Sequence, residues 1–299
     1  MLPLQQERLF HATAALLCYR LCEKGLYSGF TRLFPSLTGE PVYLLCKLLA
    51  VIPLCLYLRR REAGLHLSVD LFPNFPRPSR ITLFCLLCGG FCAANALVRA
   101  LGYGFAALCG KALTAEPAVF SLQNLFSDGI CLILAPAFLE EWLFRRVFFS
   151  FCLPCGSRCT IGFCAILFML IHHPPAMPGA LCAGIVLGIC AMTDSLWLCI
   201  ILHAVVNAIS YGLTFCPAGV WWGMTACGVC LGICGILHVR RASKTHPAIF
   251  KDDRTAPQAS ASGMEAELPP VALRDALFSR AGWGLAALLC VEIFLFAIP

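Results

Sequence analysis

Apolar runs about as long as a bilayer is thick recur along this chain, at 41–58, 81–98, 125–149, 195–214 and 217–238. Crossing the hydrocarbon core takes roughly 20 residues as a helix, and none of these runs alternates apolar and polar residues as a membrane strand would. Of the 299 residues, 60% are hydrophobic and only 13% charged, and mean hydropathy is +0.82. Those values exclude an ordinary soluble domain. The chain reads as all-α, a polytopic integral membrane bundle of about eight or nine transmembrane helices.

Shorter runs at 9–22, 160–173 and 177–192, and a last one at 281–298, complete the expected crossings. The apolar segment 101–123 carries Lys111, Glu116 and Pro117, so it reads as a partial or surface-lying helix. The division that follows is 1–124 for N-terminal membrane helices, 125–238 for a core, 239–280 for a polar cytoplasmic linker and 281–299 for a C-terminal membrane helix. Within the linker, "VALRDALFSR" has the look of a short amphipathic helix leading into the last crossing.

The net charge of +6 speaks for orientation rather than for nucleic acid. Arg59–Arg61, Arg145 with Arg146, and Arg240, Arg241 and Lys244 close alternate crossings, which puts all three clusters on the cytoplasmic side. No removable signal peptide is evident, because "RLFHATAALLCYRLCEKG" runs on into Arg20, Glu23 and Lys24 with no small-residue cleavage pattern. The 21 cysteines fall mostly inside apolar runs and read as small buried hydrophobes. Of the CxxC pairs, Cys85/Cys88 and Cys227/Cys230 lie within expected crossings. Only Cys152, Cys155 and Cys159 fall in a plausible loop where metal or redox chemistry could be built.

An ionisable group inside a membrane span is costly unless paired or facing a wet cavity. In "FLEEWLFRR", Glu141 and Arg145 are four apart on one helical face, with the acid on the N-terminal side, the favourable order for an ion pair. Glu140 lies about 100° further round, outside that pairing, and is the carboxylate left for chemistry. Arg146 reads as a boundary residue. "FMLIHH" sets Phe168 four before His172, while His173 reads as an interfacial group. His203 and Asn207 are four apart in "LWLCIILHAVVNAIS", a polar pair that either holds two helices together or serves a site. Gly184 and Gly188 have the spacing of a close helix contact.

Together, a carboxylate, two histidines on separate helices and an amide supply what peptide hydrolysis needs: a base for water, a partner to orient it and donors for an oxyanion. No Gly-x-Ser-x-Gly elbow supports a serine nucleophile. No HExxH motif marks a zincin, although Glu140, His172 and His203 together could bind zinc.

The order EExxxR (Glu140, Glu141, Arg145), FxxxH (Phe168, His172), "TDSLW" and HxxxN (His203, Asn207) resembles the type II CAAX prenyl endopeptidases and their bacterial relatives, the CPBP or Abi intramembrane proteases. The resemblance covers about 125–215. It implies a glutamate-type site in a cavity open to cytoplasm and lipid, with Glu140 and His172 activating water and His203 and Asn207 forming the oxyanion hole. Glu141, Arg145 and Phe168 would be supporting residues. Members of the family were long described as metalloproteases; the residues here favour a metal-free mechanism with no cofactor.

The expected partners are a membrane-associated protein or peptide substrate and the bilayer itself, with no nucleic acid. The expected location is the plasma membrane of a bacterium, or the endoplasmic reticulum of a eukaryote. The contending functions are a non-proteolytic immunity or regulatory subunit, and a proton- or ion-coupled transporter, which lacks a visible inverted repeat.

Overall fold

Without water to satisfy peptide groups, an apolar run must close its own backbone hydrogen bonds, and a helix does so locally. The computed structural model describes residues 3–36, 39–61, 79–110, 122–193, 195–245, 273–277 and 279–297. Every regular element among these described residues is helical. The chain order is α1 (Pro3–Leu33), α2 (Glu40–Arg61), α3 (Arg80–Leu108), α4 (Leu122–Asp128), α5 (Ala135–Glu141), α6 (Phe149–Cys152) and α7 (Ser157–Leu170). There follow α8 (Met177–Thr193), α9 (Leu196–Leu213), α10 (Ala218–Thr245), α11 (Leu273–Leu277) and α12 (Arg280–Ala297).

Five helical stretches among the described residues are long and apolar enough to cross a membrane: Glu40–Leu58, Arg80–Gly104, Pro174–Thr193, Leu196–Leu213 and Ala218–Arg241. The other crossings expected from the sequence also fall on helix, within α1, the stretch from α4 to α6, α7 and α12, but are not among those five. Large apolar side chains stand exposed along the five, including Ile52, Leu56, Leu97, Trp197, Ile201 and Ile233. So much uncovered apolar surface is untenable in water and natural against lipid.

Two sequence boundaries move. The polar segment expected to begin at 239 starts as helix, since α10 runs on to Thr245. Residues 246–272 of that linker lie outside the described residues, as do 111–121 of the segment read as a surface helix, whose first part belongs to the end of α3. The short helix read in "VALRDALFSR" is α11, with Arg274 and Asp275 exposed and Ala276 buried.

Small residues set the closest helix crossings. A Cβ on Gly89 of α3 would lie 2.2 Å from the Gly232 Cα of α10. Those two backbones touch, which any side chain would prevent. The Gly184 and Gly188 pair does its expected work between α8 and α7: a Cβ on Gly184 would stand 3.0 Å from the Ala165 Cα, and one on Gly188 3.2 Å from Ile161. Beneath this contact lies an aromatic core of fully buried Phe144, Phe148, Phe149, Phe151, Phe163 and Phe168.

The cysteines divide more than their apolar setting suggested. Cys46, Cys88, Cys92, Cys152, Cys155, Cys159, Cys164, Cys190 and Cys199 are buried, whereas Cys18, Cys22, Cys109, Cys227, Cys230, Cys234 and Cys290 are exposed. All 21 are free thiols. The expectation of burial held only for one set because an apolar run faces protein on one side and lipid on the other. Cys152, Cys155 and Cys159, read as a loop group, are buried in the aromatic core, where the Cys155 thiol is 3.7 Å from the Gln5 carbonyl.

Candidate active site

The site is carried by a helical rod from 122 to 155 that is α-helical in α4, α5 and α6 and π-helical at Gly129–Leu134 and Trp142–Phe148. Pro136, at the start of α5, gives a local cause for the first widened turn. Its missing N–H and its ring both break an i to i−4 hydrogen bond, and a π turn absorbs that loss. The rod keeps α-helical geometry along α5, so Glu140 and Glu141 leave it in different directions, about 100° apart.

Glu141 is fully buried and both its oxygens are used. Arg145 Nε donates to Oε2 at 2.9 Å, the i,i+4 pair expected from the sequence, and His203 Nδ1 lies 3.0 Å from Oε1. Among the described residues the Arg145 guanidinium has no hydrogen-bond partner at Nη1 or Nη2; its carbon instead lies 5.5 Å and 5.4 Å from the rings of Phe149 and Phe168. Cation–π attraction in a dry core partly replaces the missing hydrogen bonds. Phe168 also meets the His172 ring at 4.8 Å and the His203 ring edge-on at 5.6 Å, so it spaces the two imidazoles.

Glu140, only 6% exposed, lies outside the Glu141–Arg145 pair as the spacing implied, but a cation from another helix engages it. Lys47 of α2 donates to its Oε1 at 3.1 Å. The other oxygen, Oε2, faces both imidazoles, with His172 Nε2 at 4.0 Å and His203 Nε2 at 3.9 Å.

His172 sits just past the end of α7, where its backbone N–H still bonds the Met169 carbonyl at 3.1 Å. Its Nδ1 is 2.8 Å from the Phe168 carbonyl, which can only accept, so Nδ1 carries the proton. In the neutral ring Nε2 is then a bare acceptor. Glu140 Oε2 is also an acceptor, so the two atoms face each other across 4.0 Å without a hydrogen bond between them, a gap that would suit a donor to both such as water. His203 is fixed in the same way: α9 buries it and its Nδ1–H donates to Glu141 Oε1 at 3.0 Å, which turns Nε2 towards Glu140.

Glu140, Glu141, Arg145, Phe168, His172 and His203 thus come together. Asn207, one turn beyond His203 and half-buried, has its amide Nδ2 3.5 Å from the Ile133 carbonyl in the first π segment. One turn further, the Tyr211 hydroxyl donates to Asp128 Oδ2 at 2.6 Å, which ties α9 to the end of α4. His173 is exposed, as an interfacial group would be, and Arg146 is half-buried.

Residues 122–209 match the family model described as type II CAAX prenyl endopeptidase Rce1-like. This Rce1-like stretch is the resemblance the motifs carried. It contains Glu140, Glu141, Arg145, Phe168, His172, His203 and Asn207 and covers under half of the chain. The family is one of membrane-embedded proteases, so a protease acting in a membrane is the class that the match supports. No curated protein and no solved structure matches the chain.

Lys47 was missed in the sequence and lies outside the Rce1-like stretch. Its signal was present: it is the one charged residue in the apolar run 41–58, and such a residue is by default a candidate for function. Nothing local to that run names its partner, which is 93 residues away. Tyr211 and Asp128 were likewise overlooked, because their pairing joins two helices.

Proposed function

We propose that the chain is an intramembrane endopeptidase of the CAAX prenyl protease 2-like kind, hydrolysing a peptide bond in a membrane-associated protein with a water activated by Glu140 and His172. A prenylated CAAX-type tail is the candidate substrate. The observation that carries the reading is the gap between Glu140 Oε2 and the Nε2 atoms of His172 and His203, at 4.0 and 3.9 Å. Each separation suits one bridging water and is too long for a direct hydrogen bond.

In the mechanism proposed, water in the gap gives one hydrogen bond to Glu140 Oε2 and one to His172 Nε2. Glu140 removes a proton as the remaining hydroxide adds to the scissile carbonyl carbon, and the carbonyl π electrons move onto oxygen. That oxyanion is met by His203 Nε2–H and the Asn207 amide. That role uses both ring N–H groups of His203, Nδ1–H donating to Glu141 Oε1 and Nε2–H, on the edge that faces Glu140, donating to the oxyanion. Collapse of the adduct expels the amine, which takes the proton from Glu140, so the carboxylate is restored. Glu141, Arg145 and Phe168 hold the two imidazoles and do not touch the reacting atoms.

The reading is metal-free. Zinc bound tetrahedrally holds its ligands at about 2.0–2.2 Å and so brings ligand atoms to about 3.3 Å of one another, closer than the separations at Glu140. The Lys47 ammonium, 3.1 Å from the same carboxylate, would also repel a second cation. Among the described residues no group of three His, Cys, Asp or Glu is set to hold a metal.

The test compares Glu140→Gln and His172→Ala with the parent in proteoliposomes, on a farnesylated peptide ending in an aliphatic tripeptide. Loss of about 100-fold or more in kcat is expected for Glu140→Gln, the scale of a general base. Equal cleavage by all three proteins would overturn the proposal and favour a non-proteolytic partner.

A further inference from the structure

The geometry points to Lys47 as the residue that positions the base: by taking Glu140 Oε1 it leaves Oε2 as the one oxygen that can reach the water between the histidines. The inference rests on the proteolytic reading of Glu140. It concerns a residue of α2, outside the Rce1-like stretch, and therefore a contribution of this chain's own N-terminal helices to the site.

The observations are these. Lys47 Nζ is 3.1 Å from Glu140 Oε1, and the two side chains are only 15% and 8% exposed. The ammonium also lies 5.2 Å from the centre of the Tyr43 ring, one turn back on α2, which restricts where the long side chain can go. Lys24 of α1 approaches the same ring at 5.2 Å. Beside them Glu23 is fully buried and paired with Arg20 through Oε2. Among the described residues, the carboxylate that Lys47 meets at hydrogen-bond distance is Glu140.

A carboxylate has two equivalent oxygens and turns freely about its last bond, so a base on a bare helix would present either one in several directions. Pinning Oε1 removes that freedom, and misplacing a reacting group by about 1 Å can cost on the order of 100-fold in rate. The ion pair also keeps a buried carboxylate in the ionised form that accepts a proton, where an isolated one would neutralise. Lys47 holds the Glu140 oxygen turned away from the two imidazoles, so its place is behind the base rather than beside the substrate. Its effect belongs in kcat and not in KM.

The experiment uses the full chain in proteoliposomes with the same farnesylated peptide, and compares the parent, Lys47→Met, Lys47→Arg and Glu140→Gln. Lys47→Met is expected to lose about 10- to 100-fold in kcat with KM changed less than about twofold. Lys47→Arg, which restores a cation, is expected to recover most of that loss. The second arm needs no substrate: infrared difference spectra between each Lys47 variant and its own Glu140→Gln derivative. Lys47→Met should bring in a protonated-carboxyl band that vanishes with Glu140→Gln and is absent from the parent and Lys47→Arg. If Lys47→Met cleaves at the parental kcat, or the band does not change, the role of Lys47 is overturned while the glutamate mechanism stands. If the parent and Glu140→Gln are alike in cleavage, the proteolytic reading falls and the positioning role falls with it; the infrared arm then separately decides whether the pair exists.

Discussion

Both ring nitrogens of His203 face glutamates, Nδ1 at 3.0 Å from Glu141 and Nε2 at 3.9 Å from Glu140. The ring is therefore a bridge between two carboxylates that the helix itself points apart, and Arg145 holds one of them from the far side. A buried charge that loses its partner costs about 3–5 kcal/mol. Arg145→Met should accordingly destabilise the protein by about that much, by stranding Glu141, with a lower melting temperature in detergent as the measurement. Arg145→Lys should recover part of the loss, since an ammonium can still reach Glu141 but cannot lie between Phe149 and Phe168 as a planar guanidinium does. Equal stability of the parent and Arg145→Met would show that Glu141 finds another partner. These pairings were legible where they are local: Glu141 with Arg145, and Phe168 with His172, follow from a spacing of four along one chain segment. The Lys47 to Glu140 pair was not, because spacing says nothing about two helices separated by the whole of α3.

At the scale of elements, apolar runs identify helices but glycine decides how near two of them can come. The crossing of α3 and α10 is a backbone contact, with a hypothetical Gly89 Cβ only 2.2 Å from Gly232. Gly223, also on α10, has open space where its side chain would be. Gly89→Ala should push the two helices apart and lower the melting temperature, whereas Gly223→Ala should leave it unchanged or raise it by the helix-propensity gain, about 0.5–1 kcal/mol. Similar losses at both positions would show that the crossing is not held by contact. The π turns belong to this scale too. Pro136 hints at the first, but the second, at Trp142–Phe148, has no proline or other comparable mark in the sequence.

The bundle carries apolar side chains outside as well as inside, and its cysteines show the division. Cys227, Cys230 and Cys234 are exposed on α10 within a stretch apolar enough to cross a membrane. A charged reagent that cannot enter the hydrocarbon core does not reach a thiol that faces lipid. A membrane-impermeant maleimide should leave these three unlabelled in intact vesicles and label them in denaturing detergent, as mapped by mass spectrometry. Labelling in vesicles at the rate of a free peptide would place this face of α10 in water.

What the sequence determined by itself was the medium and the cast: apolar runs without alternation dictate membrane helices, since only a helix satisfies its backbone within one such segment, and the few polar residues inside them name the site. Glu140, His172 and His203, which the fold brings together, stand out in the sequence for that reason. Tertiary structure decided who faces whom. It placed Lys47 of α2 on one oxygen of Glu140 and two imidazoles opposite the other, and it gave His203 a second glutamate. A polar group inside a membrane must find a partner. Which partner it finds depends on the packing of helices far apart in the chain, set by glycine contacts and aromatic cores rather than by any local spacing.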